Sequence, residues 1–265
     1  MESNAANTTS RSAAKKRNYV SNLVFASVFV ALAVLLKISF EIYFTPQLRF
    51  NFCNVPIMMS GIFLGPIWGF AVGAVTDIVN YLIKPAGAMH WGFTLSSALT
   101  GCIPGIIFVL TKKKRKHDKL LFSLLNIANY VILIGGLVLL FQANGLLKFE
   151  NDLLYIAGTQ ISWILFAVIL LLFAIYALSL IFLLGRTENE KTVIPAYKII
   201  FAVALVEIVC SLILNTNFLA DLYGMAALAL LPMRLLKSII VIPIFSFACF
   251  ALCNLFARYK LQKNK

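Results

Sequence analysis

The chain has 265 residues, 61% of them hydrophobic and only 12% charged, with a mean hydropathy of +0.92 and a net charge of +13. That composition excludes a soluble globular protein and leaves no stretch polar enough for a soluble domain of its own. In a soluble protein +13 would point to nucleic acid; here the placement of the basic residues follows a lipid bilayer instead, and no nucleic-acid partner is expected.

Residues 1–18 are polar, small and basic (Arg11, Lys15, Lys16, Arg17) and read as a flexible cytoplasmic tail. The run Tyr19–Phe40 is long enough to span a bilayer, at about 20 residues per crossing. It is longer than a signal-peptide core and Phe40-Glu41 offers no small-residue cleavage site, so it reads as an uncleaved span. Further apolar runs cover 52–65, 66–83, 92–110, 120–142, 153–184, 196–217 and 231–257, giving eight predicted crossings with the second unusually short. The fold class predicted is therefore all-α, a polytopic membrane helical bundle in one transmembrane domain over 19–258. With the N-terminus inside, segments 1–18, 111–119, 185–198 and 258–265 hold 4, 6, 3 and 4 Lys or Arg, 17 of the 23 in the chain. Cytoplasmic loops carry such an excess, which predicts both termini inside.

The stretch Arg49–Gly105 carries the most information. Gly65, Gly69 and Gly73 recur at a four-residue step that continues through Asp77 to Tyr81, and a second stripe follows as Phe93, Ser97, Gly101, Gly105. Positions four apart share a helix face, and small residues there mark close helix contacts in lipid. Asp77 differs from the glycines: an ionisable group is costly inside an apolar helix, so a functional role is its default reading. In the N-in topology Arg49, the loop Lys84–Trp91, Asn215, Asn217, Asp221, Arg234 and Lys237 gather at the outer end, as around a pocket facing the medium. Arg49 and Arg234 suit a ligand carboxylate, which a guanidinium fork grips two bonds at a time. His90 reads as an interfacial histidine or a ligand contact, and Trp91 as an aromatic-belt or pocket residue. Lys37 and Lys84 read as snorkelling to the interface.

No phosphate-binding loop, zinc-protease, nucleophile-elbow or metal-spaced motif is present, and no cofactor is expected. The five cysteines (Cys53, Cys102, Cys210, Cys249, Cys253) lie in or beside apolar runs without a Cys-x-x-Cys pair and read as small buried hydrophobes. These residues lead to a membrane protein with a polar site, not to a substrate. An intramembrane enzyme using Asp77 on a lipid-linked substrate and a self-sufficient secondary transporter remain open at this point.

A resemblance goes further. Gly65-Pro66, Gly69, Gly73 and Asp77, then Pro85-x-Gly87, Gly92-Phe93-Thr94-Leu95 and Gly101 are similar to the substrate-binding S component of energy-coupling-factor (ECF) vitamin transporters, with the folate-type branch nearest. Leu214-Asn215-Thr216, Leu222-Tyr223-Gly224, Leu231-Pro232-x-Arg234-Leu235-x-Lys237 and Pro243 continue the resemblance, which spans about 20–110 and 212–258. It implies a vitamin-binding subunit without enzyme activity, in a prokaryotic plasma membrane, working with a transmembrane coupling protein and two ATPase subunits on separate chains. It also implies a six-helix core with both termini inside, here 19–111 and 196–258, so that a helix pair over about 115–195 is an insertion. The implied ligand is folate or a pterin-like compound. Implied binding residues are Arg49, Asp77, Tyr81, His90, Trp91, Phe93, Asn215 and Arg234; Asp77 would take the donor edge of a pterin and Arg49 or Arg234 its acidic tail. Trp91-Gly92 departs from the Pro-Gly that usually precedes Phe-Thr-Leu in the family. Ser27 and Ala31, small residues one turn apart on the first helix, stand where the family carries an Ala-x-x-x-Ala face that docks the coupling protein.

Overall fold

A computed structural model describes residues 2–45, 48–85, 89–112, 117–143, 147–150, 153–156, 159–160, 174, 178, 194–224 and 227–263. Helix α1 runs from Glu2 to Ser39, so the basic segment read as a flexible tail is the first part of one long helix. Its alanines, arginines and lysines are good helix formers, and no Gly or Pro interrupts it before Ser39. A short antiparallel hairpin follows, β1 (Ile42–Thr45) with β2 (Leu48–Phe50). Then come α2 (Asn54–Leu64), α3 (Pro66–Ile83), α4 (Trp91–Leu110) and α5 (Asp118–Ala143). A second antiparallel sheet is built from β3 (Leu147–Glu150), β4 (Leu153–Ile156) and β5 (Thr159–Gln160). After it, α6 (Ala196–Val206) passes through a π-helical stretch, Glu207–Leu214, into α7 (Asn215–Tyr223), and α8 (Ala227–Lys263) completes the described chain.

Among the described residues six helical segments are long and apolar enough to cross a membrane: Tyr19–Ser39, Pro66–Ile83, Trp91–Leu110, Asp118–Leu137, Ala196–Tyr223 and Leu230–Arg258. The protein is thus a multi-pass helical membrane bundle, with two small sheets beside it. Two predicted crossings fare differently. The run at 52–65 forms the 11-residue α2, about 16 Å long and shorter than a bilayer core. The run predicted over 153–184 starts as strand, because Leu153–Ile156 pairs with Leu147–Glu150; apart from 153–156, 159–160, 174 and 178 it lies outside the described residues.

Gly65 joins α2 to α3 with φ 96°, a left-handed backbone that favours glycine, and Pro66 starts α3 where a missing N–H costs nothing. The two small-residue stripes face each other. A Cβ on Gly69 would overlap the Gly101 carbonyl, one on Gly73 the Ser97 carbonyl, and one on Gly105 would lie 2.6 Å from Pro66 Cα. Gly61 of α2 also abuts Gly101, so α2, α3 and α4 meet backbone to backbone. α1 buries Ala26, Phe29 and Ala33 while Ser27 and Ala31 on the other side are exposed. Phe256 of α8 packs its ring against Phe25, Phe29 and Phe63. Large apolar side chains such as Leu82, Leu110 and Leu255 point outward, as a lipid-facing surface requires.

The end of the bundle where α4 stops and α5 begins is closed by a buried charge cluster. Lys198 Nζ of α6 donates to the Thr111 carbonyl at 2.7 Å, lies 3.5 Å from Asp118 Oδ2, and stands 5.9 Å over the Phe122 ring. Asn126 Nδ2 donates to the Tyr197 carbonyl at 3.1 Å. The five cysteines are free, and all but Cys102 are buried.

Candidate functional site

The opposite end, where α3 stops and α4 begins, opens into a cavity of about 260 Å³. The ends of α1 and α3, the starts of α2, α4 and α8, and the π-helical stretch all contribute to its wall. The glycine seam delivers Asp77 to this wall. One turn after Gly73 meets Ser97, Asp77 meets the next turn of α4, and Thr94 Oγ1 donates to Asp77 Oδ2 at 2.8 Å.

His90 starts α4: its Nδ1 accepts from the Gly92 N–H at 3.1 Å, the cap that an otherwise open helix N-terminus needs. The His90, Phe93 and Phe218 rings pack together, with centroids 5.3–6.1 Å apart. The Phe218 ring lies 2.7 Å from where a Gly92 Cβ would be, so glycine at 92 lets α7 close against α4.

Across the cavity the π-helical stretch frees backbone carbonyls from the ordinary helical ladder, and side chains take them. Arg234 Nη1 donates to the Ser211 carbonyl at 2.8 Å and Thr216 Oγ1 to the same oxygen at 3.3 Å, while Ser96 Oγ reaches the Cys210 carbonyl at 3.3 Å. Glu207, only 3% exposed, accepts from Ser238 Oγ at 3.3 Å. At the rim Lys84 Nζ lies 3.6 Å from Glu41 Oε2, and Lys37 and Lys237 also line the wall. Two buried polar atoms in this wall have no hydrogen-bond partner, Arg234 Nε and Asn215 Oδ1. Unpaired polar atoms are rare in native interiors and call for a partner. Among the described residues no group of three His, Cys, Asp or Glu side chains is placed to hold a metal ion.

Of the residues singled out in the sequence, Asp77, Tyr81, His90, Phe93, Asn215 and Arg234 come together around this one cavity. Trp91 is 71% exposed on the outside of α4 and does not line it. Arg49 lies in β2 opposite Tyr43, its side chain outside the described part of the structure. Thr94 stands in the Gly92-Phe93-Thr94-Leu95 motif without a role assigned from the sequence, and Phe218, Ser238 and Glu207 were not singled out there. For Glu207 a signal existed, since it is an acidic residue inside an apolar run like Asp77.

A family model described as ECF transporter, substrate-specific component, matches residues 21–155, about half of the chain. The folate transporter FolT of Clostridium novyi is 32% identical over 103 residues, 38% of this chain; the match spans 60% of that relative's length. An uncharacterized MG313 homolog of Mycoplasma pneumoniae is 25% identical over 205 residues, 73% of this chain and 70% of the relative. Among solved structures, FolT bound with folic acid shares the fold, with a TM-score of 0.51 and 21% identity over 88% of this chain and 94% of that one. The family is one of transporter components rather than enzymes, which sets aside the intramembrane enzyme. The chain belongs to the substrate-specific components of ECF transporters.

Proposed function

We propose that this chain is the high-affinity vitamin-binding subunit of an ECF uptake transporter in a prokaryotic plasma membrane, and that its ligand is folate or a related pterin. The observation that carries the reading is the cavity itself: a polar recess in a transport-family bundle with Arg234 Nε and Asn215 Oδ1 left without partners. Asp77 offers a carboxylate to ligand N–H groups and Arg234 a guanidinium to a ligand carboxylate. The 260 Å³ lies just under the range of about 300–1,000 Å³ usual for small-molecule pockets, so a ring fits inside while a longer tail reaches the rim. Lys37 and Lys84 would meet an acidic tail there. A transmembrane coupling protein and two ATPase subunits on separate chains supply the energy, and the exposed Ser27–Ala31 face of α1 is the docking side. A second reading, an S component for another vitamin, rests on Trp91-Gly92 in place of the family's Pro-Gly.

In this reading both termini are cytoplasmic and the cavity faces out, as the Lys and Arg count supports. The eight crossings of this reading count the short α2 and the apolar run at 153–184, whose length in the sequence suits a bilayer. In labelling of intact cells on a cysteine-free background, Ala86→Cys is expected to react from outside and Lys114→Cys not; the reverse pattern inverts the topology. The ligand itself is tested by mass spectrometry of small molecules that co-purify with the protein from rich medium, followed by titration. A pterin should co-purify and rebind the emptied protein, and a different vitamin there would replace the folate assignment.

A further inference from the structure

We propose that Glu207, at the closed end of the cavity, is the carboxylate that selects the ligand's ring by its N–H donor edge, with Asp77 acting nearer the mouth. The inference rests on the pterin-type reading above and adds the contact that decides which rings are accepted.

Depth separates the two acids. α4 runs away from the mouth, so Thr94, the partner of Asp77, lies six residues and about 9 Å above Thr100. The α6–π strand of chain runs the other way. Ser96 meets Cys210, which puts Glu207, three residues earlier in the chain, deeper than that contact, and Glu207 and Thr100 both line the cavity. Ser238, the donor to Glu207, is likewise one turn deeper in α8 than Arg234.

Satisfaction separates them too. A carboxylate has room for about four hydrogen bonds. Glu207 is 3% exposed and has one donor, Ser238 Oγ, at 3.3 Å, whereas Asp77 is half-buried with Thr94 held at 2.8 Å. Neither acid belongs to the Lys84–Glu41 or the Lys198–Asp118 ion pair, and the nearest cation to act on Glu207 is the Arg234 guanidinium, whose field reaches it without a hydrogen bond. A buried carboxylate so thinly bonded is expensive to keep unless a further partner arrives. The π-helical turn that carries it is a form found frequently at functional sites.

The partner this geometry suits is a flat heterocycle with a ring N–H beside an exocyclic amino group, the edge that a 2-amino-4-oxopteridine presents. Two parallel N–H donors meet one carboxylate as a guanidinium does, and the Val206 and Phe93 side chains in the wall offer apolar contact to a ring face.

The test uses the purified full-length protein in lipid nanodiscs, titrated with folic acid and with its 2-dimethylamino analogue, which keeps the ring and tail but loses the amino donors. Wild type should prefer folic acid by about ten- to a hundredfold. Glu207→Gln should lose affinity for folic acid by a similar factor and no longer discriminate between the two compounds, while Asp77→Asn still does. Undiminished discrimination by Glu207→Gln overturns the assignment of Glu207 and leaves the folate reading standing. Wild type that binds no pterin at all defeats both. Should Glu207→Gln not fold, Glu207→Asp, which draws the carboxylate back by one methylene, takes its place, and loss of discrimination in Asp77→Asn instead would move the role to Asp77.

Discussion

The two ends of the bundle place charges in apolar helices and treat them in opposite ways. At the end where α4 meets α5, Lys198 is closed in by Asp118, the Thr111 carbonyl and the Phe122 ring, so that the charged groups complete one another within the chain, although the neighbouring Asn126 Oδ1 has no hydrogen-bond partner. At the cavity end, Arg234 is tied to the Ser211 carbonyl by one nitrogen while Nε stays unpartnered, and Glu207 has a single hydroxyl. A charge inside a membrane protein is therefore not by itself a sign of a site. What distinguishes a site is capacity left open beside a cavity, and a closed cluster of the same residue types is a brace.

The largest effect should come from breaking the brace. Lys198→Met takes the buried ammonium away from Asp118, and removing one partner of a buried pair costs about 3–5 kcal/mol. The unfolding midpoint should fall accordingly, while the fraction that remains folded binds ligand as wild type does. Replacing both partners, Lys198→Met with Asp118→Leu, should recover most of the loss, because an apolar pair carries no desolvation penalty. If Lys198→Met instead lowers ligand affinity with stability intact, the division between brace and site is wrong.

At the cavity end the signs reverse. Arg234→Gln and Asp77→Asn should each weaken ligand binding by about 1.5–3 kcal/mol, roughly tenfold or more in Kd. Asp77→Asn should cost less stability than Lys198→Met, since Asp77 is only half-buried and stands at the cavity wall. Titration calorimetry beside thermal unfolding of the same samples reads both quantities. Unchanged affinity in both variants would place the ligand elsewhere.

The parts of this arrangement that depend on short-range sequence pattern were legible. Apolar runs locate the six spanning segments, and the four-residue glycine steps give the α3–α4 seam that carries Asp77 to Thr94. The parts that depend on tertiary pairing were not. Glu207 finds its donor 31 residues away on another helix, and the π-helical stretch that carries it reads as an uninterrupted apolar span. Trp91 begins α4, yet its side chain falls on the outer face, because the turn that follows His90 gives Phe93 and Thr94 the inner positions. The β3–β4 pairing was hidden for the same reason, since four apolar residues before a longer apolar run look like its first turn.

The smallest effect on the isolated chain belongs to the outward face of α1, a surface that is neither brace nor pocket. Ser27 and Ala31 lie one turn apart and exposed, with Ser27 Oγ returned to the Leu23 carbonyl at 3.0 Å, while Ala26, Phe29 and Ala33 take the buried side. A side chain added at 27 or 31 meets lipid rather than protein, so Ser27→Trp and Ala31→Trp should shift stability by no more than about 0.5 kcal/mol, the usual range for surface substitutions. Ligand affinity should not change. Close approach of another helix needs residues no larger than Ala or Ser at such a face, because bulk there holds the backbones apart and forfeits their dispersion contacts. Assembly with the coupling protein, read by co-purification, and ATP-dependent uptake into cells should therefore fall away in variants that still bind ligand. Two results would remove the docking assignment: lost ligand binding in the solitary variant, which makes the face internal, or uptake at the wild-type rate, which makes it bare lipid contact.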